Sequence, residues 1–468
     1  MLEKYKSLLE NIMLFSLNNF LPRVLTFFML PIYTKYLTTT EYGVFDLMSS
    51  TILLLLPIFT LDIQDAVMRF GFGDEYLKKH IFSASCFIIF LGSVILGLGI
   101  YIVDKLSIFS VNGIDFFVFF LIYVFTAYSN SISMFCRGIN RVQAVVEGSS
   151  INSFLFAISN LILIIKLDFG LYGYLISTVI SQAVFIIYIF LRVKLYKYIC
   201  YNIPEKVFKD MLMFSSPLVF NVIGWWINNV SDRYIITYFL GISASGLFAV
   251  AYKLPSILTI LQNIFSQAWS ISAIKDFDKN DSDGYIGKIY MMMSGVMSIA
   301  CSILIIFNIP ISYTLFSNKF FYAYLYTPPL LLSVVFNAMS LFIGSVFTAV
   351  KDTTTLSITT IAGAIVNIIC NVIFIYYWQA YGAAIATAVG YLVVFVIRAR
   401  TLRKHIVIKV NWKREILIIL LLFIQMTFAY YGNRMIAYQI LILTIILSMY
   451  IMDFKLFVTM LINKEFKI

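Results

Sequence analysis

The chain has 468 residues, of which 61% are hydrophobic and 12% are charged, and its formal net charge is +11. An average soluble domain has ~25% charged residues, so this chain lacks the polar side chains that would cover a soluble surface. The composition therefore excludes an ordinary water-soluble protein, and membrane lipids are the expected surroundings. Its basic residues flank apolar stretches one loop at a time, which favours anionic headgroups as partners and not nucleic acid.

Apolar segments long enough to cross a bilayer recur along the whole chain. A spanning helix needs ~20 apolar residues, and continuous runs of that length favour helices over the alternating strands of a β-barrel. The pattern predicts an all-α polytopic membrane protein with about fourteen transmembrane helices. These helices are predicted at 11–34, 43–61, 81–103, 114–135, 148–165, 170–191, 208–239, 244–267, 286–308, 325–349, 355–377, 381–399, 415–431 and 436–454. No small-residue cleavage pattern follows the first segment, so we interpret it as a retained helix and not a signal peptide.

The charges of the loops predict the orientation of the chain. If the N-terminus is cytoplasmic, most of the 34 Lys and Arg residues fall in cytoplasmic segments, among them Arg398 and Lys404, as the positive-inside rule requires. With an even number of helices, both termini are cytoplasmic. We therefore expect a multi-pass protein of a cytoplasmic-type membrane, and the many Ile, Phe, Lys and Asn residues point to a bacterial inner membrane.

An internal repeat divides the chain. Residues 171–178 read LYGYLIST and residues 380–387 read AYGAAIAT, and near the front of each half residues 14–16 (LFS) resemble residues 213–215 (MFS). Asn160 and Asn371 precede the two Tyr-Gly motifs, and we expect them to form hydrogen bonds between helices. The order predicts a six-helix lobe at 1–200, a second at 201–405, and two further helices with a cytoplasmic tail at 406–468. Six is even, so the repeats are parallel, and substrate sites of such repeats tend to lie between them.

The opening residues carry a family resemblance. They include Phe15-Ser16, Pro22-Arg23, Pro31, Tyr36-Leu37-Thr38 and Glu41-Tyr42-Gly43. With the Tyr-Gly repeats, the small loops and the six-six-two helix order, this start resembles the polysaccharide or O-antigen flippases. That family belongs to the multidrug/oligosaccharidyl-lipid/polysaccharide (MOP, MATE-like) exporter superfamily.

The resemblance implies two six-helix lobes in a V-shaped arrangement around a central cavity. It implies transport of a polyprenyl-pyrophosphate-linked oligosaccharide, such as an O-antigen repeat unit for lipopolysaccharide, from the cytoplasmic to the outer leaflet. The implied mechanism is ion-coupled alternating access. The implied partners are the lipid-linked oligosaccharide, membrane lipids, a polysaccharide polymerase and a chain-length regulator.

Three cations lie within predicted helices, at Arg23, Arg233 and Lys253. Such a cation costs ~2.5–3.5 kcal/mol on insertion scales, so each should face a partner or a water-filled cavity. Contact with a pyrophosphate or an acidic sugar is the functional interpretation. The candidate substrate-binding residues are Arg23, Lys253, Arg233, Asn19 and Asn229. As alternatives, Arg23 forms an ion pair that ties helices together, and Arg233 snorkels to the interface.

Carboxylates are the candidates for ion coupling, because a coupled ion needs a titratable or ligating group in the cavity. The candidates for ion coupling or gating are Asp46, Asp232 and Asp62. Asp46 is predicted near the outer end of the second helix, so it is also a candidate outer gate.

Catalytic motifs do not occur in the sequence. It has neither GxxxxGK[ST] nor HExxH, and its two histidines, His80 and His405, are expected as solvated side chains of cytoplasmic loops. We expect no enzyme, no catalytic residue, no cofactor and no metal. Two alternatives stay open: a MATE-type drug or cation antiporter, which would favour carboxylates in its cavity, and a membrane polysaccharide polymerase or ligase. A polymerase or ligase should carry a large outer loop, whereas the longest outer segment here, 309–324, has only Lys319 charged.

Overall fold

The computed structural model describes residues 27, 29–73, 75–106, 113–275, 278, 281, 282, 284–350, 352–406, 408 and 410–462. These residues are helical and contain no β-strand, so the predicted all-α fold class is confirmed. The α-helices are α1 (Leu30–Tyr36), α2 (Thr39–Thr60), α3 (Ile63–Phe72), α4 (Lys78–Lys105), α5 (Gly113–Gly138), α6 (Val142–Asn160), α7 (Gly170–Val193) and α8 (Glu205–Leu240). They continue with α9 (Ile242–Ala251), α10 (Lys253–Lys275), α11 (Tyr285–Ile306), α12 (Asn308–Leu315), α13 (Thr327–Ala349), α14 (Thr353–Leu402), α15 (Trp412–Ala429) and α16 (Ile436–Ile462).

A helix can span the membrane if it is long enough and apolar enough. Within the described part of the chain, ten helices meet both conditions, and the bent pair α9–α10 raises the total to as many as eleven. The predicted count of fourteen stays a prediction, and most of the first predicted helix, 11–34, lies outside the described residues.

Two breaks bear on the helices that the sequence predicts. The predicted helices 355–377 and 381–399 are the two segments of α14, and the predicted gap between them is confirmed by the non-helical backbone of Gln379 (φ 52°, ψ −143°). The predicted helix 244–267 is the pair α9 and α10, which meet at a bend of 45°.

The start of α2 explains part of the opening motif. Thr38 Oγ1 accepts a hydrogen bond from the backbone N–H of Glu41 at 3.1 Å, and Glu41 Oε2 accepts one from the N–H of Thr38 at 2.8 Å. This reciprocal capping box satisfies N–H groups that a helix end otherwise leaves without partners.

The described residues form two compact units, one within Leu21–Val230 and the other within Ser231–Ile468. We call them the N-terminal unit and the C-terminal unit. The lobe boundaries predicted at residues 200 and 405 stay predictions.

In the N-terminal unit, α2 to α7 and the start of α8 enclose one apolar core. Small residues let backbones approach closely: a Cβ on Gly92 of α4 would lie 1.9 Å from the carbonyl oxygen of Phe59. Away from the core, α4 exposes large apolar side chains such as Ile95 (59%) and Leu98 (58%). Such surfaces suit a lipid environment, where helices satisfy their own backbone groups.

In the C-terminal unit, α13 is buried along most of its length and packs against α10, α11 and α14. A helix that is apolar on all sides belongs inside a bundle. Trp269 stacks on Phe342 with ring centroids 4.3 Å apart, and its Nε1 donates a hydrogen bond to the Phe342 carbonyl oxygen at 3.1 Å. These contacts hold α10 against α13.

Candidate functional site

A carboxylate is fully buried inside the C-terminal unit, at Asp232 of α8. Asn371 donates Nδ2–H to Oδ1 at 2.7 Å, and Thr387 donates its hydroxyl to Oδ2 at 2.6 Å. The hydroxyl of Tyr252 also donates to Oδ2, at 3.3 Å. Side chains from three places in the sequence therefore satisfy both oxygens of a group that would be costly to bury without partners.

The break at Gln379 positions two of these donors. Asn371 lies before it on α14 and Thr387 lies after it. The chain turns back there so closely that a Cβ on Gly382 would lie 2.2 Å from the carbonyl oxygen of Phe374. Because Gly382 has no Cβ, both segments of α14 can face one carboxylate.

Two of the donors to Asp232 also contact other oxygen atoms. Asn367 Oδ1 lies 3.1 Å from Asn371 Nδ2, and the hydroxyl of Thr387 lies 3.0 Å from the carbonyl oxygen of Ala383. The Oδ1 atom of Asn371 is buried and has no hydrogen-bond partner among the described residues. A buried carboxylate can take up a proton, and carboxylate and amide oxygens are the ligand atoms that hard cations prefer. No group of three or more His, Cys, Asp or Glu residues in the described ranges could hold a metal ion.

Two cations lie beside this carboxylate network. The guanidinium of Arg233, which is half-buried, lies 5.0 Å from the ring centroid of Tyr252, within the range of a cation–π interaction. Lys253 follows Tyr252 at the α9–α10 bend and is also half-buried. Of the residues predicted to carry function, Asp232 and Arg233 thus both contact Tyr252, and Lys253 is the next residue in the chain.

The other predicted residues belong to the N-terminal unit or lie outside the described residues. Asn229 of α8 belongs to the N-terminal unit and donates Nδ2–H to the carbonyl oxygen of Trp225 at 2.8 Å. Asp46 is half-buried on α2. Asn19 and Arg23 lie outside the described residues.

Asp62 occupies a break between α2 and α3. Leu61 and Asp62 both have left-handed backbone, with φ of 52° and 51°, a conformation that is unusual for residues other than glycine. Asp62 is buried, and its Oδ1 accepts a hydrogen bond from Gln64 at 2.8 Å. Its Oδ2 is buried without a partner among the described residues. The break thus holds an incompletely satisfied carboxylate.

Sequence reasoning did not connect Tyr252, Asn371 and Thr387 with Asp232. The expected interhelical hydrogen bond is confirmed for Asn371, although the sequence did not indicate its partner, whereas Asn160 donates its Nδ2–H to the carbonyl oxygen of Phe156 on its own helix at 2.6 Å. Thr387 is part of the Tyr-Gly repeat, and its polar side chain at a fixed place in that repeat was the signal that could have identified it as a site residue.

A model of the family described as polysaccharide biosynthesis protein matches residues 8–271. This chain belongs to that family. Among curated proteins, no sequence match was found.

Solved structures show the fold that this family member shares. The lipid II flippase MurJ, in an inward closed conformation, superposes with a TM-score of 0.66 at 16% identity, covering 95% of this chain and 98% of that chain. An inward-facing multidrug resistance MATE transporter of the MOP superfamily gives a TM-score of 0.64 at 14% identity, covering 82% and 94%. A MATE transporter of Vibrio cholerae gives 0.58 at 12% identity, covering 86% and 98%. The chain therefore has the MurJ- and MATE-like fold of the MOP superfamily, as predicted.

Proposed function

We propose that this protein is a flippase for a polyprenyl-pyrophosphate-linked oligosaccharide, such as the repeat unit of an O-antigen or a related polysaccharide. It moves this cargo from the cytoplasmic to the outer leaflet by alternating access, and it is not an enzyme. The observation that carries the proposal is the match to the polysaccharide biosynthesis family over residues 8–271. The likeness to MurJ, which is named as a lipid II flippase, supports a cargo that is linked to lipid.

Arg233 and Lys253 are the proposed contacts for the pyrophosphate within the C-terminal unit. Charge-assisted hydrogen bonds from cations are the strong interactions that a phosphate oxygen can accept. At membrane depth a cation is retained where it has a partner or a task, since its burial is costly. Arg23, Asn19 and Asn229 complete the proposed set of substrate-binding residues.

Asp232 is the proposed coupling residue. A proton or a monovalent cation on its carboxylate would alter the hydrogen bonds that it accepts from Asn371, Thr387 and Tyr252. Those bonds join α8 to both segments of α14 and to the α9–α10 bend, so an ion would shift the balance between two arrangements of these helices. Asp46 and Asp62 are proposed as gating groups.

The cellular setting follows from the same proposal. The protein is a multi-pass membrane protein, and we place it in the bacterial inner membrane with cytoplasmic termini. The proposed lobes are residues 1–200 and 201–405, and the last helices are at 406–468. A polymerase and a chain-length regulator are the proposed partners, since a flipped repeat unit must next be polymerised.

A complementation experiment tests the function. Cells that lack their own flippase would express wild type, Arg23→Ala, Lys253→Ala or the control Lys197→Ala, which removes an exposed cation, at matched membrane levels. We expect wild type and the control to restore surface polysaccharide. Each of the other two variants should lower it by about tenfold or more, because a charge-assisted contact contributes ~1.5–3 kcal/mol.

Two results would change the proposal. If both variants export as well as wild type, the function stands and the cationic site is wrong. If wild type restores export of no matched glycan but confers resistance to cationic drugs, the protein is a drug or cation antiporter.

A further inference from the structure

The N-terminal unit contains a cavity of about 270 Å³ between α2, α6 and α7. None of the described residues that line it carries a charge, and Asp46, next to the lining residue Phe45, is not among them. A single water takes up ~30 Å³ of liquid, so the space is several times larger than one water needs. A roomy, partly polar site in a membrane protein whose described lining is uncharged suits a polar ligand without formal charge.

One wall of the cavity is aromatic. The ring of Tyr174 lies 3.9 Å from that of Phe45 and 5.3 Å from that of Phe156, measured between centroids. Tyr33 packs against the same ring at 5.0 Å. Aromatic side chains packed in this way present rigid apolar surfaces. The C–H face of a pyranose ring is a matching surface.

The rest of the lining is partly polar, because it includes side-chain amides and hydroxyls. Gln182 accepts a hydrogen bond from the Thr126 hydroxyl through Oε1 at 3.1 Å, and its amide N–H groups have no partner among the described residues. Asn152 Oδ1 is buried, also without a partner in the described part of the chain. The hydroxyls of Thr178 and Ser181 donate to backbone carbonyls of α7 at 3.1 Å, which leaves their oxygen lone pairs available. The lining thus offers donors and acceptors, the combination that sugar hydroxyls require.

The internal repeat allows the cavity to be compared with the Asp232 network, because it pairs positions of one unit with positions of the other. The offset that matches residues 14–16 with 213–215 also matches Tyr33 with Asp232. The Tyr-Gly motif matches Thr178 with Thr387. Where the C-terminal unit has a carboxylate that accepts hydrogen bonds, the N-terminal unit has an aromatic ring beside a cavity whose described lining residues are uncharged. Equivalent positions of the two repeats therefore serve sites with different chemical groups, an aromatic ring in one unit and a carboxylate in the other.

We propose that the cavity binds one neutral monosaccharide ring of the transported glycan. The ring stacks on the wall formed by Phe45, Phe156 and Tyr174, and its hydroxyls bond to Gln182 and Asn152. This inference rests on the proposed flippase function and adds to it the class of sugar. A hexuronic acid would meet no cationic side chain among the described lining residues and is disfavoured.

A transport assay with the full chain in proteoliposomes tests this site. The probes are a polyprenyl-pyrophosphate-linked tetrasaccharide of neutral hexoses and the same carrier with four hexuronic acids. The variants are Gln182→Met and Phe156→Leu, and the control is Phe154→Leu, since Phe154 lies on the same helix with 50% of its surface exposed. We expect both variants to raise the KM for the neutral probe about fivefold at unchanged kcat, as loss of a ground-state contact does. The control should match wild type, which should prefer the neutral probe.

Photo-crosslinking of the wild-type protein tests the same site without relying on variants, which could fold poorly. A neutral tetrasaccharide that carries a diazirine on a sugar should label peptides of α6 and α7 in the wild-type protein, and free neutral tetrasaccharide should compete. If transport of the neutral probe proceeds but labelling maps elsewhere and the variants keep the wild-type KM, the cavity proposal is wrong and the function stands. If wild type moves neither lipid-linked probe, both proposals fall.

Discussion

A carboxylate inside an apolar helix bundle persists only when donors satisfy its oxygens or when a proton or cation neutralises it. Asp232 has its donors in Asn371, Thr387 and Tyr252, and it has no exposed surface. Burial of this kind is seldom the most stable choice, because apolar replacements of buried charges are often neutral or stabilising. We therefore infer that the charge of Asp232 serves transport rather than stability.

Asp232→Asn should separate these two roles. The amide can form hydrogen bonds but can neither take up a proton nor balance a cation, so ion-driven transport should fall by ~100-fold or more. The apparent melting temperature should change little, because the network keeps its shape. The measurement is flipping under an imposed proton or sodium gradient. Glu205→Gln, at the exposed start of the same helix, is the control, and wild-type coupling in Asp232→Asn would refute the assignment.

Arg398 provides a second buried charge with a structural task. It lies on α14 with only 4% of its surface exposed. Its guanidinium donates to the carbonyl oxygen of Ser340 at 2.9 Å and to the hydroxyls of Thr359 and Thr360 at 3.0 and 2.9 Å. From the sequence, Arg398 was only a basic residue at a cytoplasmic helix end. Its hydrogen-bond acceptors could not be predicted, because they lie on α13 and at the start of α14, far from it in the chain.

Arg398→Met should lower the free energy of unfolding by ~2–4 kcal/mol, because several buried acceptors lose their donor at once. The matched control is Arg400→Met, which removes an exposed guanidinium two residues further on and should be nearly neutral. Thermal unfolding in detergent compares the two. Equal melting temperatures would show that the Arg398 bonds contribute nothing to stability.

At the scale of elements, apolar runs predicted where helices lie and also two of their breaks, at residue 61 and between 377 and 381, but not the bend between α9 and α10. Gln379 and the pair Leu61 and Asp62 interrupt helices with positive φ, although none of them is glycine or proline. Those residue types are the usual signals of a break, so tertiary contacts decide these conformations. The glycine of the Tyr-Gly motif was visible in the sequence, yet its reason, a close backbone approach, needed the structure.

Gly382→Ala tests that close approach. The added Cβ would lie 2.2 Å from the carbonyl oxygen of Phe374, a backbone atom that cannot move aside alone. We expect a loss of ~3 kcal/mol or more in stability and a reduced yield of folded protein. Gly99→Ala on α4 is the control, because no atom lies within 4 Å of its added Cβ. It should be neutral or stabilising by up to ~1 kcal/mol. Equal yields would contradict the packing account.

The cap of α14 predicts a pH dependence. Hydrogen bonds from Thr355, followed by the nearby His405, hold the pKa of Asp352 below its usual range. His405 Nε2 lies 3.0 Å from Asp352 Oδ2, so the expectation of a solvated histidine was wrong for His405. Because the folded pKa is lowered, the contribution of this carboxylate is present above its ordinary pKa of ~3.9 and is lost as pH falls through the lower folded value.

Asp352→Asn should therefore be less stable than wild type near neutral pH, and the difference should shrink as the pH falls below ~4. Melting temperatures of both proteins from about pH 7 to pH 3 check this. A difference that is independent of pH would show that the ionised cap does not stabilise α14.

At the scale of the molecule, the likeness to MurJ extends over 95% of the chain at 16% identity. A fold conserved this far with so few identical side chains does not name a cargo, since function lies in sites placed on the fold. The resemblance in the sequence sufficed for the family and the helical fold. The resemblance did not predict the hydrogen-bond network at Asp232, because the residues of this network lie on separate helices whose packing no local sequence pattern encodes.

Flipping of a fluorescent polyprenyl-pyrophosphate-linked oligosaccharide in proteoliposomes tests the central claim most directly. Wild type should move this lipid to the opposite leaflet, faster under an ion gradient, and Asp232→Asn should lose the response to the gradient. Failure of wild type to move any lipid-linked oligosaccharide, together with export of a cationic dye from the same vesicles, would contradict it.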